Sequence, residues 1–475
     1  MPRIRANYSV KTTPLPHQIE AISYIMANNI VALFDEQGLG KTKIVIDALS
    51  QRMRSGQIDG ALVVAPMSLL YNWEQEVQKH SYLIPIVLRG GKREKRYKFL
   101  TGANFYITNY EAVVSEIERI RRFCKSLRVA IVLDESTRIK DSSSRTARTL
   151  YELIPISTQR IIIAGTPIAN KPYDIWGQYF FLDRGDLLGD NYTSFKNSLS
   201  EANPDYKNNL SHLREQIYTN SIRRRKADEL QLPDKSFINI YVDLTARQKE
   251  LYDKLREELR LEIQDTDGAL IIDEAENILK KLLRLTQIAS NPALFDSSYS
   301  EVPAKLLSLD KLVKNIIDAE EKVIIWTSFI GNIRLFKNRY AEYKPLTIFG
   351  ETPIIDRASI VKRFQEYESN RILIANPSAA REGLTLTRAN NAIYFDRNFN
   401  LVDYLQSQDR IHRISQTKTC IIYKLLARNT VDEYIDQLVN VKQDIAMYIQ
   451  GDIEAVKNES FEFLVNKQEL LNMLG

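Results

Sequence analysis

Two parallel-sheet α/β lobes with helical material between them are predicted for this chain of 475 residues, and three features carry the prediction. Short apolar runs come in two sets. Helical sequence separates the members of each set, and from about 183 to 320 the pattern changes to long polar-apolar helical stretches. The first set is "IVALF" (30–34), "ALVVAP" (61–66), "FYIT" (105–108), "AIVLDE" (130–135) and "RIIIAG" (160–165). The second is "KVIIWTS" (322–328), "LTIFG" (346–350), "RILIAN" (371–376), "AIYFD" (392–396) and "CIIYKLLA" (420–427). Runs without period-two alternation are what strands buried on both faces look like, and helices between them give parallel sheets. Between the sets, "ARQKELYDKLREELRLEIQ" and "AENILKKLLRLTQIA" read as helices. No internal repeat or sustained heptad competes with this organisation, and the length suits roughly two to four domains.

Composition narrows the function classes. Apolar residues make up 44% and charged residues 26%, ordinary for a globular protein in water. No apolar run approaches the roughly 20 residues of a membrane span, and "MPRIRANYSV" lacks the apolar core of a signal peptide, so an intracellular protein is expected. Two cysteines and four histidines, none in a C-x-x-C or H-x-x-x-H pattern, argue against a disulfide framework and structural zinc. The net charge of +5 is concentrated in "RGGKREKRYK" (89–98), "RRFCKSLR" (121–128) and "RRRK" (223–226). Each alone reads as a solvated face; three together point to a polyanionic partner.

The stretch "RVAIVLDESTRIKD" (128–141) drives an apolar strand straight into two acids, Asp134 and Glu135. Such a pair either lies past the strand's end in water or faces a bound cation. Upstream, "IVALF" runs into "DEQGLGKT" (35–42) and then into helical "KIVIDALSQRM". Gly38 and Gly40 let the backbone turn N–H groups onto phosphate oxygens, Lys41 can reach the β- and γ-phosphates, and Thr42 can ligand Mg²⁺. The strict G-x-x-x-x-G-K-[ST] pattern is not met, because Asp35 stands where its first Gly would be. With a phosphate loop present, Asp134 at a neighbouring strand's end suits the metal's water shell, and Glu135 can orient a water attacking the γ-phosphate. Arg410 and Arg413 are three apart on a segment read as helical, which puts both guanidiniums on one face.

Taken in chain order, these motifs resemble the Snf-two (Swi/Snf-type) branch of superfamily-two helicase-like ATPases over about residues 12 to 440. "LPHQIEA" is similar to the family's adenine-reading segment, with Gln18 as the reader, and "DEQGLGKT" to its phosphate loop, including the Asp-Glu start. "APMSLLYNWEQE" (65–76) and "ITNYE" (107–111) resemble motifs that track one DNA strand's backbone, and "AGTPIANKPYDIW" (164–176) the segment linking ATPase state to lobe movement. "SIRRRKADELQLPDK" (221–235) and "LLRLTQIASNPALF" (282–295) resemble marks of this branch in particular. In the second lobe, "SAAREGLTLTRANNAIYFD" (378–396), which contains Gly383, resembles the motif that senses nucleotide and grips DNA. "YLQSQDRIHRISQ" (404–416), with Gln406, Arg410 and Arg413, resembles the arginine-bearing motif. Two positions depart from the family pattern. Ser136 and Thr137 follow the Asp-Glu pair where a His is common, and Ala164 stands where a Thr often precedes Gly-Thr-Pro.

The resemblance implies two RecA-like lobes: an ATP-binding lobe over 1–235 with a helical protrusion at about 183–225, and a helicase lobe over 236–440 with an insert at about 245–300. A helical brace would follow over 441–475. It implies ATP and Mg²⁺ as cofactors, with Gln18, Gly38, Gly40, Lys41, Thr42, Asp134 and Gly383 binding nucleotide, Thr42 and Asp134 holding the metal, and Glu135, Gln406, Arg410 and Arg413 catalytic. The partner expected is double-stranded DNA, held by its backbone without sequence specificity, and the activity ATP-driven translocation by a monomer, cytoplasmic, nucleoid-associated or nuclear according to its host. A strand-separating helicase of DNA or RNA, or an ATP-dependent clamp that does not step, are the alternatives.

Overall fold

The computed structural model describes residues 7–168, 170–200, 203–265, 272–379 and 384–456. The chain divides into two compact units, the first running to Gln231 and including Ile445–Ala455, the second spanning Leu232–Asp444.

The first unit is built on a seven-stranded parallel sheet. Its strands are β1 (Ile30–Leu33), β2 (Gly60–Ala65), β3 (Ile86–Val87), β4 (Phe105–Asn109), β5 (Val129–Asp134), β6 (Gln159–Ile163) and β7 (Ser221–Ile222), in the order β3-β4-β2-β5-β6-β1-β7. Side chains alternate between faces along each strand. Val31, Leu33, Val63, Ile107, Val132 and Ile161 face one core, shared with helices Pro16–Ala27, Lys41–Arg54 and Leu70–His80. Ala32, Leu62, Val64, Ile131 and Leu133 are equally buried, which leaves no solvated face and explains the unbroken apolar runs. Beyond helices Tyr192–Ser198 and Tyr206–Tyr218, the expected protrusion ends in β7, which joins the sheet as an edge strand.

The second unit holds a six-stranded parallel sheet of β8 (Lys235–Val242), β9 (Val323–Trp326), β10 (Leu346–Ile348), β11 (Ile372–Ala375), β12 (Asn391–Tyr394) and β13 (Cys420–Ala427), in the order β10-β11-β9-β12-β13-β8. The two helices read between the lobes form as Ala246–Asp265 and Ile272–Ser290, and the second feeds directly into the unit's polar core. The Ser290 hydroxyl donates to Asp396 at 2.9 Å, as do the Thr327 hydroxyl at 2.6 Å and the Asn332 amide at 3.0 Å. Burial raises the Asp396 pKa, opposed by Thr327, the Ser328 N–H, Lys305 and Ser290. The insert is thereby tied to the ends of β9 and β12 through one buried carboxylate.

All ten predicted strands are present. The three that were not predicted, β3, β7 and β8, lie at or next to the sheet edges, where short or alternating sequence suffices. Of the expected brace, residues through Ile449 close the helix Val431–Ile449, and 457–475 lie outside the described residues. No helix among the described residues is long and apolar enough to cross a membrane.

Both cysteines are buried, and burial pushes the Cys124 thiol pKa up to about 12. A thiolate is the reactive form, so neither should react with an aromatic disulfide reagent at pH 8 until denaturant is added. Stoichiometric labelling of the native chain would contradict this packing.

Candidate nucleotide site

Strand β1 delivers the chain into the glycine-rich turn, and the helix Lys41–Arg54 leaves it. Gly38 has φ +96° and Gly40 φ +80°, left-handed conformations that a side chain rarely adopts. At Gly40 a Cβ would also come within 2.4 Å of the Gln18 Nε2. Gln18 is packed beneath the turn, donating to the Leu39 carbonyl at 3.2 Å and accepting from the Leu15 N–H at 3.0 Å, and the His17 Nε2 meets the same Leu39 carbonyl at 3.0 Å. Lys41 folds over the turn and donates to the carbonyls of Asp35 and Glu36 at 2.7 and 3.1 Å. Thr42 follows on the first turn of the helix. A turn with two left-handed glycines, and with a lysine and a hydroxyl at a helix N-terminus, fits a polyphosphate.

The acids stand two strands from the turn. They were expected on a neighbouring strand, but β6 lies between β1 and β5. At about 4.8 Å per strand, two steps open roughly 10 Å, room for phosphates and a hydrated cation. Asp134 is the last residue of β5; its Oδ2 accepts from the Trp73 indole at 2.7 Å and its Oδ1 from the Glu135 N–H at 2.9 Å. Glu135 takes φ 51° and ψ 53°, a left-handed conformation that costs a residue with a side chain roughly 1–2 kcal/mol. The strain turns the chain sharply out of the sheet at the carboxylate.

The loop after β6 closes the gap between the two. A Cβ on Gly165 would come within 2.5 Å of the Gln37 Cγ, so this loop packs on the glycine turn with no space to spare. Ser136, one residue before Thr137, which stands where the family commonly has His, is buried and donates to the Gln178 Oε1 at 2.6 Å, while the Gln178 amide donates to the Pro167 carbonyl at 2.7 Å. Ala164 is buried, its N–H on the Leu33 carbonyl at 3.2 Å.

The basic run 223–226, one of the three clusters read as pointing to a polyanionic partner, is largely consumed within the first unit. The chain 220–224 lies along β1 and past its end: Ala32, Phe34 and Glu36 N–H groups donate to Asn220, Ile222 and Arg224 carbonyls at 2.8, 2.9 and 2.9 Å. Arg224 is buried and grips Asp35 with two donors, Nε at 3.0 Å and Nη2 on the other oxygen. Arg223 pairs with Asp452 at 2.5 Å and donates to the Phe34 carbonyl at 2.7 Å. The exposed Arg225 pairs with Asp228 at 2.7 Å, and buried Lys226 gives its N–H to Glu36 at 2.7 Å. Burial lowers the Lys41 pKa; Asp35, Glu135 and Asp134 oppose that, and the charge of Lys226 adds to it.

In the second unit the regular helix Leu401–Gln408 stops before the arginines, so their common direction comes from a turn and not from helical spacing. Each bonds back four residues, Arg410 Nε to the Gln406 carbonyl and Arg413 Nε to the Asp409 carbonyl, both at 2.9 Å. Both then reach one loop: Arg410 Nη1 donates to the Leu384 carbonyl at 3.3 Å and Arg413 Nη1 to the Thr385 hydroxyl at 3.1 Å. Burial lowers the Arg413 pKa and Asp409 opposes it, yet a guanidinium stays charged at neutral pH. Gln406 is buried, and His412 meets the Pro233 carbonyl at 2.8 Å. Gly383 lies outside the described residues.

Residues 17–294 match the model of the SNF2-related domain, more than half of the chain, and 304–415 match that of the helicase conserved C-terminal domain. The chain belongs to the SNF2-related domain family. Among its relatives, an uncharacterized ATP-dependent helicase of Mycoplasma genitalium is 29% identical over 91% of this chain and 41% of its own length. An ISWI chromatin-remodeling complex ATPase of Saccharomyces cerevisiae is 28% identical over 88% and 39%. The chain thus spans about two fifths of these curated relatives. Among solved structures, the Sulfolobus solfataricus SWI2/SNF2 ATPase core in complex with dsDNA is 27% identical, covering 98% of this chain and 97% of that one at a TM-score of 0.45.

Several residues of this SNF2-type core escaped sequence reasoning. Trp73 sits in a segment read as DNA-tracking, yet its ring is wholly buried and its N–H serves Asp134. Arg224 lay in a charge run, where one member's burial leaves no local trace. Because Asp35 is fully buried, Arg224→Ala would leave its charge uncompensated and should destabilise the protein by about 3–5 kcal/mol in denaturant unfolding. A loss below about 1 kcal/mol would mean the pair is an exposed contact.

Proposed function

We propose that this SNF2-type core is an ATP-driven translocase that tracks the backbone of double-stranded DNA. The reading is supported above all by one arrangement: a glycine turn bearing Lys41 and Thr42, with Asp134 and Glu135 two strands away on the same sheet. That spacing suits in-line transfer of the γ-phosphoryl to water. Lys41 leaves the carbonyls of Asp35 and Glu36 to bind phosphate oxygens, and the turn's N–H groups hold the phosphate chain in line. Thr42 and Asp134 would hold Mg²⁺, which would supply neutralisation of the negative charge on the triphosphate. Glu135, held at a sharp turn, accepts a hydrogen bond from the attacking water and orients it.

Arg410 and Arg413 neutralise charge that spreads over the transferred phosphoryl, from the second lobe, so turnover requires lobe closure. DNA bound by both lobes favours that closure, which makes the ATPase DNA-stimulated. Contacts to phosphates carry no sequence information, so stepping is indifferent to sequence.

Glu135→Gln should retain ATP binding and lose turnover by about 10²- to 10⁴-fold, whereas Lys41→Ala should weaken nucleotide binding itself. Turnover within about threefold of wild type in Glu135→Gln would remove Glu135 from the chemistry. Arg413→Ala should bind ATP and DNA separately and lose most DNA-stimulated turnover; full stimulation in that variant would contradict a catalytic arginine. Comparing duplex DNA, single-stranded DNA and RNA as stimulators, with triplex displacement and forked-duplex unwinding as readouts, tests translocation. Displacement without unwinding is the expected result.

A further inference from the structure

Four strands form the edges of the two sheets, and three of them are short: β3 and β7 have two residues each and β10 has three. The fourth, β8, has eight and pairs with β13 along its whole length in one continuous register. Natural sheet edges are blunted by brevity, charge, proline or bulges, because a row of unpaired N–H and C=O groups accepts another strand. Between Ser236 and Val242 this edge has no charge and no proline, and Phe237, Ile238 and Tyr241 are 51%, 40% and 44% exposed. The Asp234 and Val242 carbonyls accept from the Cys420 and Arg428 N–H groups, at the start of β13 and just past its end. Backbone direction alternates along a strand, so the N–H and C=O groups of Lys235, Phe237, Asn239 and Tyr241 point away from the sheet.

The stretch "KSFINIYVD" (235–243) is complementary to its own reverse about Asn239. We propose that β8 is a dimerisation edge, to which a second copy of this chain adds its own β8 in antiparallel register across a two-fold axis at Asn239, in place of the monomer that the resemblance implies. In that register Lys235 lies opposite Asp243, Phe237 opposite Tyr241, Ile238 opposite Ile240 and Asn239 opposite its own counterpart, and symmetry makes every match twice. Opposed residues of an antiparallel pair share a face, so opposite charges meet at both ends of the seam and aromatic rings meet inside them. The two charges are only loosely engaged within one copy, Lys235 with Asp409 and Asp243 with Arg428, both at 3.8 Å. The outward backbone groups fall in register too, because odd-numbered residues oppose odd-numbered ones, and each outward N–H from Phe237 to Tyr241 meets a C=O. A slip of one residue would set outward groups against inward ones and break every match.

The test uses the full chain without nucleic acid. Sedimentation across the micromolar range should show a concentration-dependent dimer, since a seam of two strands is a small interface. Asn239→Pro removes an outward N–H that the sheet itself does not use, a substitution edge strands tolerate, and should raise the dissociation constant about tenfold or more. Crosslinking reads the register. The Cα atoms of a directly opposed, hydrogen-bonded pair stand about 5.5 Å apart, within reach of a disulfide, whereas Phe237 and its counterpart would be offset by four residues, about 14 Å. Mild oxidation should therefore link Asn239→Cys into a covalent dimer and leave Phe237→Cys unlinked, the native cysteines being buried. A wild-type chain that stays monomeric at high micromolar concentration overturns the proposal, as does a dimer that Asn239→Pro leaves intact. Crosslinking of Phe237→Cys as readily as of Asn239→Cys, or of neither, overturns it as well.

Discussion

Asp35 leaves strand β1 with its carboxylate wholly out of water, and a charge in that position persists because Arg224 meets it with two N–H donors. Much of the site depends on this pair. It holds the edge segment against the start of the glycine turn, so that the carbonyls of Asp35 and Glu36 stand where the Lys41 ammonium can reach them. It also explains the departure from the strict phosphate-loop pattern. Where that pattern has a glycine, this chain has an acid pinned by an arginine just past the adjacent edge strand β7, which is distant only in sequence.

The loops at the ends of β1, β6 and β5 form one packed layer. Gly165 is flush against Gln37, Gln178 joins Ser136 to the Pro167 carbonyl, and Trp73 and Tyr110 hold Asp134 by its side chain and its carbonyl. A shift in the turn is therefore felt at the carboxylates through hard contacts and buried hydrogen bonds, which transmit displacement because close-packed interiors hardly compress. Ser136, which stands in the stretch where the family commonly has histidine, is engaged in this layer.

The second unit uses the same economy of buried polar groups. Asp396 gathers hydrogen bonds from Ser290, Thr327 and Asn332, which anchors the helical insert to the sheet. The arginines owe their orientation to carbonyls four residues back and to the loop at Leu384 and Thr385. The turn after the helix Leu401–Gln408 thus aims both side chains at one loop without helical spacing.

The sequence by itself determined ten of the thirteen strands, the helices of the insert and the glycine turn. Strands buried on both faces must be apolar throughout, and left-handed positions at Gly38 and Gly40 demand glycine, so both leave local signals. Adjacent acids after an apolar run were legible for the same reason. Tertiary structure alone decided that β6 separates the turn from those acids, that Trp73 serves Asp134, and that Arg224 and Lys226 of the 223–226 run are turned inward. Strand order and an ion pair between residues 189 positions apart carry no periodicity in the chain, and a buried arginine reads in sequence like an exposed one until its partner is brought beside it.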